Sequence, residues 1–300
     1  TVWSWWSTSH ELGSAASLWL ATFFISRFDY KAVFLMPALI GVSVSIVALI
    51  LLRDKPVSLG LPDVETYAGT KKVEPKEDSN EPVDNRSYGQ IFKEEVLKNK
   101  NIWILSLSFI CLYMMRSGPT DWLPKILEND PFGTYKAIMV PACGCLGTLS
   151  IPWVSKLLFK ERRAPALFVY FLVATICFSL IYLTSTPKGG GLPIIQLPAS
   201  LSNPVQFFLY GLLGIATYGP LVMIGGVASI ESASKKVAAA ATGFTGAMGY
   251  VGSVLMSYLG GLLVNKGLGP ITAVWIIDGV IAMALMLMAW NQTANKEYSH

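Results

Sequence analysis

An all-α polytopic membrane protein is the fold class this sequence predicts, and three observations predict it. Hydrophobic residues make up 53% of the 300 and charged residues only 14%, with a mean hydropathy of +0.50, far more apolar surface than one globular core takes in. The apolar residues fall into runs of about 20, the length that crosses ~30 Å of hydrocarbon as a helix. Polar, Gly- and Pro-rich punctuation separates these runs. The formal net charge of +4 is modest, and no basic cluster interleaved with aromatics stands apart from the apolar runs, which argues against a nucleic-acid partner.

Eight spans follow, over 1–26, 32–52, 101–126, 135–157, 165–185, 204–230, 237–264 and 270–291. The basic residues test the count, because Lys and Arg concentrate on the cytoplasmic side of a membrane. With eight crossings, sixteen of the 23 fall on one side and six on the other, leaving Arg116 inside the membrane. Both ends of the chain are therefore expected in the cytoplasm. The sequence starts directly in a span, with no initiator Met and no signal peptide, so an N-terminal segment is expected to be missing.

The longest break, from Arg53 to Lys100, is charged and rich in Pro, Asp and Glu, as a flexible cytoplasmic linker is. It divides the chain into 1–52, with two spans, the linker over 53–100, and 101–300, with six. This is the pattern left when a twelve-helix, six-plus-six transporter loses its first four helices. Near the linker's end, Ser87 and Gln90 stand at capping-box spacing ahead of Ile91, Phe92, Val96 and Leu97, which predicts a short interfacial helix. The four cysteines, Cys111, Cys143, Cys145 and Cys177, lie in apolar stretches without a second ligand pair or a nearby His. They read as buried free thiols rather than metal ligands.

Within the third span, Arg116 lies roughly 22 Å along the helix, beyond easy reach of either interface. An arginine there costs on the order of 2.5–3.5 kcal/mol on insertion scales and faces a cavity or a partner. One reading is an ion pair with Asp121; the other is an anion site, for which the planar guanidinium is suited by its two parallel donors and permanent charge. Gly118-Pro119 is expected to break the helix just beyond, with the freed backbone lining a cavity.

His10, in the first span, either bonds a neighbouring helix or contacts a substrate. Glu11 follows it but points about 100° away, and its role is open. Tyr218 precedes Gly219-Pro220, an expected kink that would turn the phenol toward the bundle interior. Gly243, Gly246, Gly249 and Gly252 form a small-residue stripe for close helix packing. Phe244 and Tyr250 beside them fit either core or cavity wall.

Four stretches, "WWSTSHELG" (5–13), "LLRDKPVSLGLPDVETY" (51–67), "YMMRSGPTDWLPKIL" (113–127) and "YGPLVMIGGVASIESASKKVAAAATGFTGAMGYVGS" (218–253), resemble in this order the organophosphate:phosphate antiporters of the major facilitator superfamily. The group includes bacterial glycerol-3-phosphate and hexose-phosphate transporters, and the hexose-phosphate branch with its chlamydial members looks nearest. The resemblance implies a major facilitator fold, N-terminally truncated, running from the fifth helix to the twelfth. It implies that Arg116 is one of a pair of arginines gripping a phosphoryl group, that His10 contacts phosphate, and that Tyr218 and Tyr250 stand near the central site. Asp121 would exchange ion-pair partners during the conformational cycle, holding Arg116 between substrates.

Three departures stand out: His10-Glu11 replaces a usual His-Asn, Pro141 stands where the glycerol-phosphate branch has a glutamate, and Ser155-Lys156 lacks an acidic neighbour. The function implied is exchange of a hexose 6-phosphate for inorganic phosphate by alternating access, in a monomer of the inner (plasma) membrane, with no cofactor, metal or enzymatic activity. The alternative is a transporter-like membrane sensor of external sugar phosphate.

Overall fold

A computed structural model describes residues 2–52, 59–62, 87–160, 162–185, 194–234 and 237–290. Most of the expected linker, 53–58 and 63–86, lies outside the described residues. Helices α1 (Val2–Arg27), α2 (Tyr30–Leu51), α4 (Lys100–Ile126), α5 (Gly133–Phe159), α6 (Arg163–Thr184), α7 (Ala199–Val222), α8 (Ala238–Leu263) and α9 (Leu268–Met288) are long, and a short α3 (Tyr88–Phe92) precedes α4. Each expected span is found as one long helix. Among the described residues seven helices are long and apolar enough to cross a membrane; α1 has the length but carries Ser7, Thr8, Ser9, His10 and Glu11 in its first three turns. Helix α7 begins at Ala199, five residues earlier than expected, because Pro204 in an early turn removes a single backbone bond and does not end a helix.

The chain forms two compact units, Thr1–Leu18 with Ser87–His300, and Trp19–Arg86. In the smaller unit α2 has no buried residue and a mean hydropathy of 2.6 over its most apolar window, as a helix bathed in lipid would. At the end of α1, Arg27 lies over the Phe23 ring at 5.0 Å.

In the larger unit, α5 pairs with α7 and α4 with α8 more extensively than any other helices. Small residues permit this: a Cβ on Gly147 would strike the Ile215 carbonyl, and one on Gly214 the Val140 carbonyl. Leu112, Met115, Leu167, Phe171, Leu213 and Trp275 fill the core between the helices. Hydroxyls also join α4 to α8, Ser117 Oγ to Ser253 Oγ at 2.6 Å and Ser106 Oγ to Thr245 Oγ1 at 3.3 Å.

Several local expectations need correction. Gly118-Pro119 does not break α4, which runs on to Ile126 with Pro119 and Pro124 inside it; Gly118 instead leaves room for the Trp275 indole. In α7, Pro220 is followed by a wide π turn over Met223–Ala228, where Ser229 Oγ donates to the Ile224 carbonyl at 2.7 Å. The glycines of α8 are not one stripe. Steps of three residues turn 300°, so the row drifts 60° per step; a Cβ on Gly252 would strike the Ile110 carbonyl, whereas Gly243 and Gly246 face open space. Gln90 caps α3 by accepting from the Ser87 N–H at 3.1 Å, and one side of α3 and of the turn after it packs on protein. Ile91 and Val96 are buried against Ile102, Ala233, Val237 and Ala241, and Glu95 accepts from the Ser234 N–H. All four thiols are free, Cys111 and Cys177 buried, Cys143 and Cys145 only half-buried.

Two ion pairs tie helix ends together. Arg163, opening α6, donates through Nη2 and Nε to Glu231 at 2.8 and 3.2 Å, a forked geometry that fixes orientation as well as charge. Lys136, fully buried on α5, donates to Asp130 at 2.5 Å, Gln206 at 2.6 Å and Asn203 at 2.9 Å. All three ammonium donors are thus used. Partial burial pushes the Asp130 carboxyl up, but donation from Lys136 and from the Phe132 N–H holds it below the usual carboxylate range.

Candidate binding site around Arg116

A cavity of about 420 Å³ opens among α1, α4, the α7 π turn and α8, within the size range of small-molecule sites. Trp6, Ser9, His10 and Glu11 line it from α1; Phe109, Tyr113 and Arg116 from α4; Gly225 and Gly226 from the π turn; Thr242, Gly246 and Tyr250 from α8. Each contribution has a local cause. On α4, Phe109, Tyr113 and Arg116 follow one another at spacings of four and three, which stacks them on one helix face. On α8, the open glycine Gly246 and Thr242 leave the wall shallow, and Tyr250 closes its other end.

Arg116 is held between aromatic rings. Its guanidinium carbon lies 4.8 Å from the Tyr218 ring centroid and 5.6 Å from that of Tyr113, both within cation–π range. Tyr113 continues the aromatic row, packing edge-on against Phe109 at 4.8 Å and beside Tyr250 at 5.5 Å. The Arg116 Nε is buried without a hydrogen-bond partner, and no ion pair to Arg116 is present among the described residues. A buried charged donor left unbonded is costly in a protein interior. The Arg116 backbone carbonyl accepts from Thr120 Oγ1 at 2.9 Å.

The structure brings Arg116, His10 and Tyr250 to one cavity. His10 is exposed on its wall, and Tyr250 is 66% exposed. Tyr218 lies behind the guanidinium, fully buried, with its hydroxyl unpartnered and its ring against Gly144. Asp121 is exposed and forms no ion pair with Arg116 here; five residues further along α4, it leaves the helix about 140° away. Tyr113 escaped sequence reasoning, although its i, i+3 spacing to Arg116 is the signal that would have found it. Glu11, whose role was open, proves fully buried. Among the described residues no group of His, Cys, Asp and Glu is placed to hold a metal ion.

Comparison with known proteins identifies the lineage. The family model described as Major Facilitator Superfamily matches residues 1–224. A glycerol-3-phosphate transporter of Bacillus subtilis is 29% identical over 98% of this chain and 64% of its own length. A probable hexose phosphate transport protein of Chlamydia trachomatis is 29% identical over the whole chain and 66% of its own length. The membrane sensor protein UhpC of Salmonella typhimurium is 26% identical over 94% of the chain and 59% of its own length. The chain thus spans about two thirds or less of the length of these relatives.

Proposed function

The chain belongs to the Major Facilitator Superfamily, and from that premise we propose that the protein carrying it exchanges a sugar phosphate, a hexose 6-phosphate, for inorganic phosphate. Its relatives are named as transporters and a sensor rather than as enzymes. The observation that carries the proposal is Arg116: a permanently charged fork in a membrane cavity, fixed by two rings, with a buried donor unspent. A phosphoryl group supplies what this donor lacks, two or three acceptor oxygens and compensating charge.

In this reading Arg116 binds the phosphoryl group, His10 donates to it from the opposite wall, and Tyr250 and Tyr113 shape the space beside it. Tyr218 acts mainly through its ring, by backing the guanidinium. Residues 1–52 are the last helices of an N-terminal half, 53–100 a cytoplasmic linker, and 101–300 the C-terminal half. The halves rock about the cavity in alternating access, the C-terminus lying in the cytoplasm on the side richer in Lys and Arg. Asp121 would engage Arg116 only in another conformation of that cycle.

The test uses the full-length protein in phosphate-loaded liposomes. Uptake of labelled glucose 6-phosphate that depends on internal phosphate is expected, and uptake independent of internal phosphate would sink the antiport. The UhpC relative favours a second reading, a membrane sensor of sugar phosphate. Binding of glucose 6-phosphate with negligible flux would select it.

A further inference from the structure

Glu11 is the one acidic side chain on the wall of the Arg116 cavity, and the proposed phosphoryl contact makes no use of it. A phosphoryl group presents acceptors and negative charge, both of which a carboxylate repels. Yet Glu11 is fully buried, and its two oxygens are unequally served. Thr148 of α5 donates through Oγ1 to Oε1 at 3.2 Å; Oε2 is buried with no hydrogen-bond partner. No ion pair reaches Glu11 among the described residues. Two residues that line the cavity therefore carry unmet demands of opposite kind, a donor at Arg116 Nε and an acceptor at Glu11 Oε2.

We propose that Glu11 is a specificity-determining residue, whose free Oε2 accepts a hydrogen bond from a hydroxyl or ammonium donor on the carbon part of a phosphorylated substrate bound through Arg116. The inference rests on the reading of the cavity as an organophosphate site. Thr148 is the positioning residue, holding Oε1 at 3.2 Å while Oε2 is left without a protein partner. A site that must satisfy a buried acceptor rejects an analogue lacking the donor far more strongly than an apolar pocket rejects a missing methylene. The cavity should accordingly discriminate between phosphate esters of equal size by their donors. A carboxylate offers acceptors only, so Glu11 narrows the choice to ligands that carry a donor.

The experiment measures how well glycerol 3-phosphate and propyl phosphate, of similar size but with and without hydroxyls, displace labelled phosphate from the full-length protein in liposomes. Wild type is expected to prefer glycerol 3-phosphate by about 10⁴-fold, at the lower end of the range that buried polar groups enforce. Glu11→Met should reduce the preference to below about tenfold, and Thr148→Val should reduce it several-fold by freeing the carboxylate to turn. Each preference is a ratio within one variant, so the amount of folded protein cancels, and Thr148→Val tests the proposal even if Glu11→Met does not fold. A preference unchanged in both variants, or absent from wild type, overturns it. Failure of the organophosphate reading itself looks different: neither ester, nor glucose 6-phosphate, displaces phosphate from wild type.

Discussion

Two cations in this molecule, the buried Lys136 and the half-buried Arg116, lie in helices of the same unit and are treated in opposite ways. Lys136 has all its donors taken by Asp130, Asn203 and Gln206, residues that join α5, the turn before it and α7. Arg116 is flanked by rings and has a buried nitrogen with nothing to bond. Both bear the cost of removing charge from water. The Lys136 cluster offsets it inside the protein and so fastens helices together; under the proposed function the Arg116 cavity leaves it to be offset by a bound anion. Saturation of hydrogen-bonding capacity, more than the presence of a charge, distinguishes the two sites.

The largest test of that contrast is Arg116→Lys. A lysine keeps the charge but not the fork, and phosphate affinity of the full-length protein, read by exchange, should fall about 100-fold, roughly 2.7 kcal/mol. A loss below fivefold would place the anion elsewhere. Within α8, Gly252→Ala pushes a methyl into the Ile110 carbonyl and should destabilise by about 2 kcal/mol, measured as Tm in detergent. Gly246→Ala, facing open space, should not lower Tm and may be compared directly, since alanine favours helix by about 0.5–1 kcal/mol.

Asp130→Ala probes the saturated cluster. Removing the charge-assisted bond that the 24%-exposed Asp130 makes to the buried Lys136 should cost about 1.5 kcal/mol of stability and leave phosphate affinity unchanged. Because the folded Asp130 carboxyl is held below its usual range, its contribution is present above about pH 4 and disappears as pH falls through the lowered value. The Tm gap between wild type and Asp130→Ala should close there; a gap that persists in acid would show that the carboxylate charge is not what holds Lys136. The smallest effect is expected from Tyr218→Phe, which removes a buried hydroxyl without a partner and keeps the ring. Stability should stay level or rise by under about 1 kcal/mol, and a tenfold loss of phosphate affinity would instead make that hydroxyl a ligand.

The helices were legible because lipid demands long uninterrupted apolar runs, and Arg116 was legible because it interrupts one. What lay beyond reach depended on neighbours distant in sequence. Lys136 reads as an outer-side charge near the start of its helix; its burial requires Asn203 and Gln206, and Asn203 falls in a stretch that reads as loop because of its prolines. Glu11 reads only as a residue turned 100° from His10, and Thr148, 137 positions away, decides that it is buried. Pro119 carries the same lesson in reverse: its local tendency to end a helix is outweighed by packing, with Gly118 admitting Trp275 alongside.

The two rings around Arg116 also determine when its freedom is lost. A free arginine side chain samples many rotamers, worth about 2 kcal/mol of entropy, which a surface arginine would give up on meeting an anion. Here Tyr218 and Tyr113 confine the guanidinium as the helices pack, so that ordering is completed during folding. Under the proposed function an arriving anion would meet a charge already at rest, and its capture would bear little of that cost.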